Sequence, residues 1–337
     1  MSETRPKKRW KFVILAMLAM VALVAGAAIS QRKVLETRYY AYRFEHSAEV
    51  DRQLWLDKIV EMDELAVPRL FACLQKPDAN LCTMSRLGLV RLLITWGPRD
   101  ERSGSLTAHF FELHPGFSTE GQLVALQMLP EILEAGGIEA AAKARTLVAA
   151  ALKDRSPELR FMGITRALRE DLNMLPAIIP LLDDQDSRIR HAALLALGPI
   201  REKAGGAEKP LVDTDSLLRF LHDPDPAIQQ LCETILIKSR QLRHSTVRYG
   251  RMLTDPQPQE RLKLLLALAN EENIDHRVWL QRLSEDSNAA VRAGAARVAV
   301  EKQIDFGERL QQMIHEDPDE TVRKIASYYA HDPRLAR

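Results

Sequence analysis

From about residue 150 onward, apolar and polar positions alternate with a helical period, and the pattern restarts roughly every thirty residues. Segments of about 10–15 residues with this period, joined by short polar turns, predict antiparallel helix pairs. One column fixes the register: Arg160, Arg190, Gln229, Arg261, Arg292 and Arg323. Six residues before each stands an aspartate, namely Asp154, Asp184, Asp223, Asp255, Asp286 and Asp317, at spacings of 30, 39, 32, 31 and 31. The long spacing contains a Gly- and charge-rich insertion, REKAGGAEKP, at 201–210.

The flanking columns have a physical logic. Four residues before the Arg column come Ser156, Asp186, Asp225, Gln257, Asn288 and Asp319. All but Gln257 are good N-caps, able to accept a hydrogen bond from an unpaired N–H of the first turn. Next come Pro157, Ser187, Pro226, Pro258, Ala289 and Glu320. Proline suits this first helical position, where a missing N–H costs nothing. Three residues after the Arg column stand mostly small residues, Gly163, Ala193, Cys232, Leu264, Ala295 and Ala326. They let the helix approach its neighbour closely. Each unit therefore reads as a helix, an Asp-containing turn and a capped second helix. One such pair cannot bury its apolar face alone, and stacking closes a continuous core.

The segments LLDDQDSRIRHAALLALGPI (181–200), LSEDSNAAVRAGAARVAV (283–300) and MIHEDPDETVRKIASYYA (313–330), with a weaker copy at 220–237, resemble HEAT repeats. The resemblance is closest to the short HEAT-like subclass associated with phycobilisome lyases. It implies an all-α fold, an α-solenoid of stacked helix pairs, and it covers 151–337. It also implies that the Asp and Arg columns (Asp154, Arg160, Asp184, Arg190, Asp223, Asp255, Arg261, Asp286, Arg292, Asp317 and Arg323) form a structural ladder that fixes repeat stacking. Residues 45–150 keep a helical pattern with blurred columns and are expected to be divergent repeats, about eight helical pairs in all.

Residues 12–29, FVILAMLAMVALVAGAAI, are 18 apolar residues without a charge, close to the ~20 that a spanning helix needs. Basic residues precede them in 1–11. The segment 12–30 reads as a transmembrane anchor, with a cleaved signal peptide ending at Ala25-Gly26-Ala27 as the alternative. The charge asymmetry favours a cytoplasmic 1–11 and an extracytoplasmic repeat domain, hence a single-pass membrane protein. A helical stem is expected over 31–60, with Tyr39, Tyr40, Tyr42 and Phe44 packing on the first repeat, belonging to an interfacial belt or docking another membrane protein.

Charge is balanced, with 47 Lys plus Arg against 46 Asp plus Glu, so no basic field points to nucleic acid. The six-fold Asp/Arg pattern argues against catalysis, since a catalytic group appears once. Asp184/Asp186 and Asp223/Asp225 lack the Gly and closing Glu of a calcium loop. His109 and His114 form no metal motif. Cys73 and Cys82 could pair in an oxidising compartment, and Cys232 falls in the buried small column. No catalytic residue, metal or cofactor is expected.

The best functional surface lies one and five residues after the Arg column, positions that share a helix face. These are Phe161/Thr165, His191/Leu195, Gln230/Thr234, Leu262/Leu266, Ala293/Arg297 and Lys324/Tyr328. Their mix of apolar, aromatic and cationic groups suits a protein or peptide partner. The insertion at 201–210 is a second candidate, with a solvated loop as its plainer reading. The expected function is a membrane-anchored, non-catalytic scaffold. The alternatives are a lyase-type enzyme, which the resemblance to chromophore lyases would imply, and a secreted repeat module.

Overall fold

The computed structural model describes residues 17, 31–199, 201–204, 207–270, 275–304 and 306–331, with the backbone alone for 201–204 and 207–210. The chain divides into two compact units, Met1–Ala177 and Ile178–Arg337.

The first unit contains α1 (31–46), α2 (Glu49–Val60), α3 (Val67–Leu74), α4 (Ala79–Trp96), α5 (Glu101–Leu113), α6 (Thr119–Ala151) and α7 (Pro157–Ala167). Here α4 packs on α2, α3 and α6, and α6 packs on α5 and α7. The core between them is aliphatic with a few phenylalanines, among them Leu56, Leu70, Phe71, Leu89, Phe110 and Leu126, all essentially buried. Burial of such side chains supplies the main driving force, about 1.5–3 kcal/mol each. Helix α6 is two helices joined at Gly137, whose φ of 58° and ψ of −144° break the helical path. Glycine takes that conformation without a Cβ clash. The aromatic stem residues sort themselves by burial. Phe44 is fully buried. Tyr39 and Tyr40 sit against Trp55 of α2 at 6.0 and 6.3 Å between ring centroids, and Arg43 lies 4.7 Å over the same ring.

The second unit contains α8 (Ser187–Leu197), α9 (Thr214–Leu218), α10 (Pro226–Thr234), α11 (His244–Leu253), α12 (Pro258–Asn270), α13 (His276–Ser284), α14 (Ala289–Glu301), α15 (Glu308–Glu316) and α16 (Glu320–Ala330). The second helices of successive pairs lie side by side, α8 on α10, and α12 on α14 on α16. Their partners α13 and α15 pack behind α14 and α16.

Two elements differ from the sequence expectation. Leu175–Asp183, expected as a first helix, is a 3-10 stretch. Pro176 and Pro180 remove donors and clash with a regular α turn. The insertion 201–210, read most plainly as a solvated loop in an all-α chain, forms a two-stranded antiparallel ladder, β1 (Arg201–Ala204) and β2 (Ala207–Pro210). Its register sets Glu202 opposite Lys209 and Lys203 opposite Glu208.

The expected single-pass membrane placement also needs correction. Among the described residues, no helix is long and apolar enough to cross a membrane. The segment 12–30 that prompted the anchor, Met17 apart, lies outside the described residues, as do 1–11.

Candidate partner-binding face

The six helices of the repeat columns start at Pro157, Ser187, Pro226, Pro258, Ala289 and Glu320, the positions where the cap and proline pattern begins them. Five caps make their side-chain bonds. Ser156 accepts from Leu159 N–H, Asp186 from Arg188, Asp225 from Ala227, Asn288 from Ala290 and Val291, and Asp319 from Thr321 and Val322. Each cap is worth about 1 kcal/mol.

Two residues before every cap position, the column aspartate accepts the N–H of the cap-position residue itself, at 2.7–2.9 Å in all six turns. In three of these turns the carboxylate also receives the arginine of the preceding repeat. Arg190 donates to Asp223 through two bonds of 2.8 Å. Arg261 donates to Asp286 at 2.6 and 3.0 Å, and Arg292 to Asp317 at 2.8 Å twice. The remaining guanidinium nitrogen turns back to its own loop. Nη1 donates to the carbonyls of Asp154, Asp184, Asp255, Asp286 and Asp317 from Arg160, Arg190, Arg261, Arg292 and Arg323. At Gln229 the amide still reaches the Asp223 carbonyl at 2.8 Å. Asp255 instead lies 3.9 Å from the His222 ring. Each of these acids accepts a backbone N–H of its own turn, and Asp223, Asp286 and Asp317 also hold a guanidinium fork.

A related contact in the first unit escaped sequence reading. Arg52 on α2 is buried and donates to both oxygens of Asp78, at 2.8 and 3.2 Å, and to Asn80 at 2.8 Å. Asp78 is itself the N-cap of α4. The arginine-to-acid separation of 26 residues, close to the 25 of the regular ladder, was the available signal.

The fixed helices present the candidate face. Phe161, Thr165, Leu195, Gln230, Thr234, Leu266, Arg297, Lys324 and Tyr328 are exposed, His191 and Leu262 half-buried, and Ala293 buried. Six of these twelve residues converge. Leu262 and Leu266 of α12, Ala293 and Arg297 of α14, and Lys324 and Tyr328 of α16 line one open groove of about 1000 Å³. His191/Leu195 and Gln230/Thr234 lie on α8 and α10 outside it, and Phe161/Thr165 lie in the first unit. Sequence reading missed Gly294, Ile325 and Tyr329, which also line the groove. They occupy the next helical row, two and six residues after the Arg column. Gly294 lets Leu265 approach, since a Cβ there would stand 2.6 Å from Leu265 Cδ1.

The groove is apolar along its length and carries two cations. Arg297 faces Glu301 at 3.6 Å and Lys324 faces Glu320 at 2.7 Å, all four exposed. Exposed pairs of this kind are worth about 0–1 kcal/mol, so they hold the two cations only weakly. Asp319 is engaged as a cap.

Cys73, Cys82 and Cys232 are free, buried thiols. Burial pushes Cys73 up to about 11 and Cys232 up to about 12. Burial also lowers the His114 pKa, and His109 contacts its own helix at Ser105 O. Among the described residues, no three His, Cys, Asp or Glu side chains could hold a metal.

Residues 174–200 match the HEAT repeat family. This HEAT repeat spans the 3-10 stretch, Asp184, Arg190 and α8. It supports the reading of the chain as a helical HEAT-type solenoid. No curated protein matches the chain. A crystal structure of an engineered protein is similar at 18% identity, covering 87% of this chain and 83% of that one, with a TM-score of 0.34. That likeness is too distant to bear on the fold.

Proposed function

We propose that this chain is a non-catalytic HEAT-repeat scaffold that binds a protein or peptide partner along its second helices. HEAT repeats commonly serve as interaction surfaces, and extended helical arrays suit extended ligands. The observation that carries the reading is the groove on α12, α14 and α16, where Leu266 and Tyr328 stand 58% and 66% exposed beside Arg297 and Lys324. Large apolar side chains clustered at a concave surface with charged neighbours mark interaction sites.

The test is selection of a random peptide library on the wild-type chain and on the double variant Leu266→Asp, Tyr328→Asp. Both positions are exposed, so the variant is expected to keep its stability within about 0.5 kcal/mol. Peptides enriched on the wild type and lost on the variant are the expected result. Equal enrichment on both would remove the groove from the proposal.

A further inference from the structure

Among the described residues no second helix precedes α2, and the row of α2 that would receive one is apolar and open. In the later repeats that row lies two residues after the column arginine. At Gly294, two after Arg292, Leu265 of the preceding second helix comes so close that a Cβ would stand 2.6 Å from its Cδ1. On α2 the corresponding arginine is Arg52, bonded to Asp78. Two residues on stands Leu54, 57% exposed, and one turn before it Val50, 92% exposed.

The directions agree. Two residues turn an α-helix by about 200°. Arg52 points toward α4 through Asp78, and Leu56 through Gly88, whose Cβ would meet Leu56 Cδ1 at 2.9 Å. Leu54, two residues from each, points the other way. On α1, Thr37 and Phe44 are buried, and Glu45 pairs with Lys76 just past α3. Leu35, Tyr39 and Tyr42, each two residues from Thr37 or Phe44, are exposed. Tyr39 and Tyr40 against Trp55 hold α1 beside α2. The first pair thus shows one apolar face on the side turned from α3 and α4. A solenoid end that meets water carries a polar outer face, and contiguous exposed apolar patches mark interaction sites.

The charges select the occupant. Arg38, one turn before Tyr42 on α1, is exposed and pairs with no acid among the described residues. Asp57 on α2 is exposed and takes Gln53 and Arg91 on the same oxygen, Oδ1, at 2.9 and 2.7 Å. Its Oδ2 receives no donor among the described residues. A chain with the cation on one helix of the face and an open carboxylate oxygen on the other is its own complement.

We propose that a second copy of this chain covers the face, in a two-fold pair whose axis runs along the helices between α1 and α2. That operator lays α1 of each copy antiparallel on α2 of its partner, and every contact occurs twice. The helices rise equally on either side of the turn at 47–48. Arg38 lies eight residues before His46 and Asp57 eight after Glu49, so they come level across the interface. Tyr42, four before His46, comes level with the stretch between Val50 and Leu54.

The experiment is sedimentation of the full chain over a dilution series. The wild type is expected to form a dimer that dissociates on dilution, and Leu54→Asp to stay monomeric. Arg38→Glu and Asp57→Lys are each expected to weaken association about tenfold or more, because each sets two like-charged pairs across the interface. Mixing these two variants is expected to restore the dimer, since both contacts of a mixed pair again join opposite charges. A variant that had lost its fold could not be rescued by mixing, so this arm separates the face from the fold. A wild type that is monomeric throughout would give the face to a different protein and overturn the proposal. A dimer unchanged in Leu54→Asp, no recovery on mixing, or growth beyond a dimer would each overturn it too. The Leu266→Asp, Tyr328→Asp variant is expected to dimerise as the wild type does. Its failure to do so would move the interface to the groove.

Discussion

Arg292 on α14 grips Asp317 of the next turn with two hydrogen bonds of 2.8 Å, while its third nitrogen holds the Asp286 carbonyl at 2.9 Å in its own turn. One side chain thus joins two successive repeats. Both partners are buried, so removing one strands the other.

Arg292→Ala is therefore expected to cost about 3–5 kcal/mol in urea unfolding, as for a broken buried pair. Arg323 donates to the Asp317 carbonyl and, among the described residues, to no aspartate of a further turn. Arg323→Ala is expected to cost about 1 kcal/mol. Equal costs for the two would show that the ladder does not carry stacking energy.

The same pair sets an acid response. The hydrogen bond from Arg292 holds the Asp317 carboxyl below its ordinary value, against burial and with help from the Asp319 N–H. A depressed folded pKa contributes stability above the unfolded value of about 3.9 that is lost as pH falls through the folded one. The urea midpoint should drop as pH falls below about 4, the unfolded carboxylate value, and drop less steeply in Arg292→Met. Parallel pH profiles would contradict this assignment.

Gly121, in the first turn of α6, has no room for a side chain. A methyl there would overlap the carbonyl oxygen of Leu74, which cannot retreat as a flexible side chain would. That oxygen already accepts from Ser118 N–H at 3.0 Å. Gly121→Ala is expected to destabilise by about 3 kcal/mol or more. Ser118→Ala, which loses the α6 cap, should cost about 1 kcal/mol. A Gly121→Ala melt matching the wild type would refute the close approach.

The thiols offer a test of burial. Cys73, Cys82 and Cys232 are buried with raised pKa values, and the thiolate is the reactive form. At about pH 8, below an ordinary thiol pKa of about 8.5, a thiol reagent should label none of them rapidly in the folded chain and all three in denaturant. Fewer than three after denaturation would indicate a disulfide.

The second helices were legible because their signals are local. A cap, a proline and an arginine six residues after an aspartate all lie within one turn and one loop. The first elements were less so. Pro176 and Pro180 convert a helical apolar pattern into a 3-10 stretch, and Gly137 divides an unbroken run that serves two pairs. The hairpin at 201–210 lacks the β-branched and aromatic residues that announce strands. Half of the candidate face converges on one groove because i,i+4 spacing reports direction. It does not report which helices lie adjacent.

The ladder has a consequence for how such a chain can change length. Arg190, Arg261 and Arg292 each reach only one turn ahead, and Asp286 and Asp317 are interchangeable in position. Excising 286–316 would deliver Asp317 to Arg261 with its cap and turn bonds intact, and copying the same segment would add an arginine together with the acid that receives it. Gain or loss of a repeat by recombination therefore orphans no charge within the array.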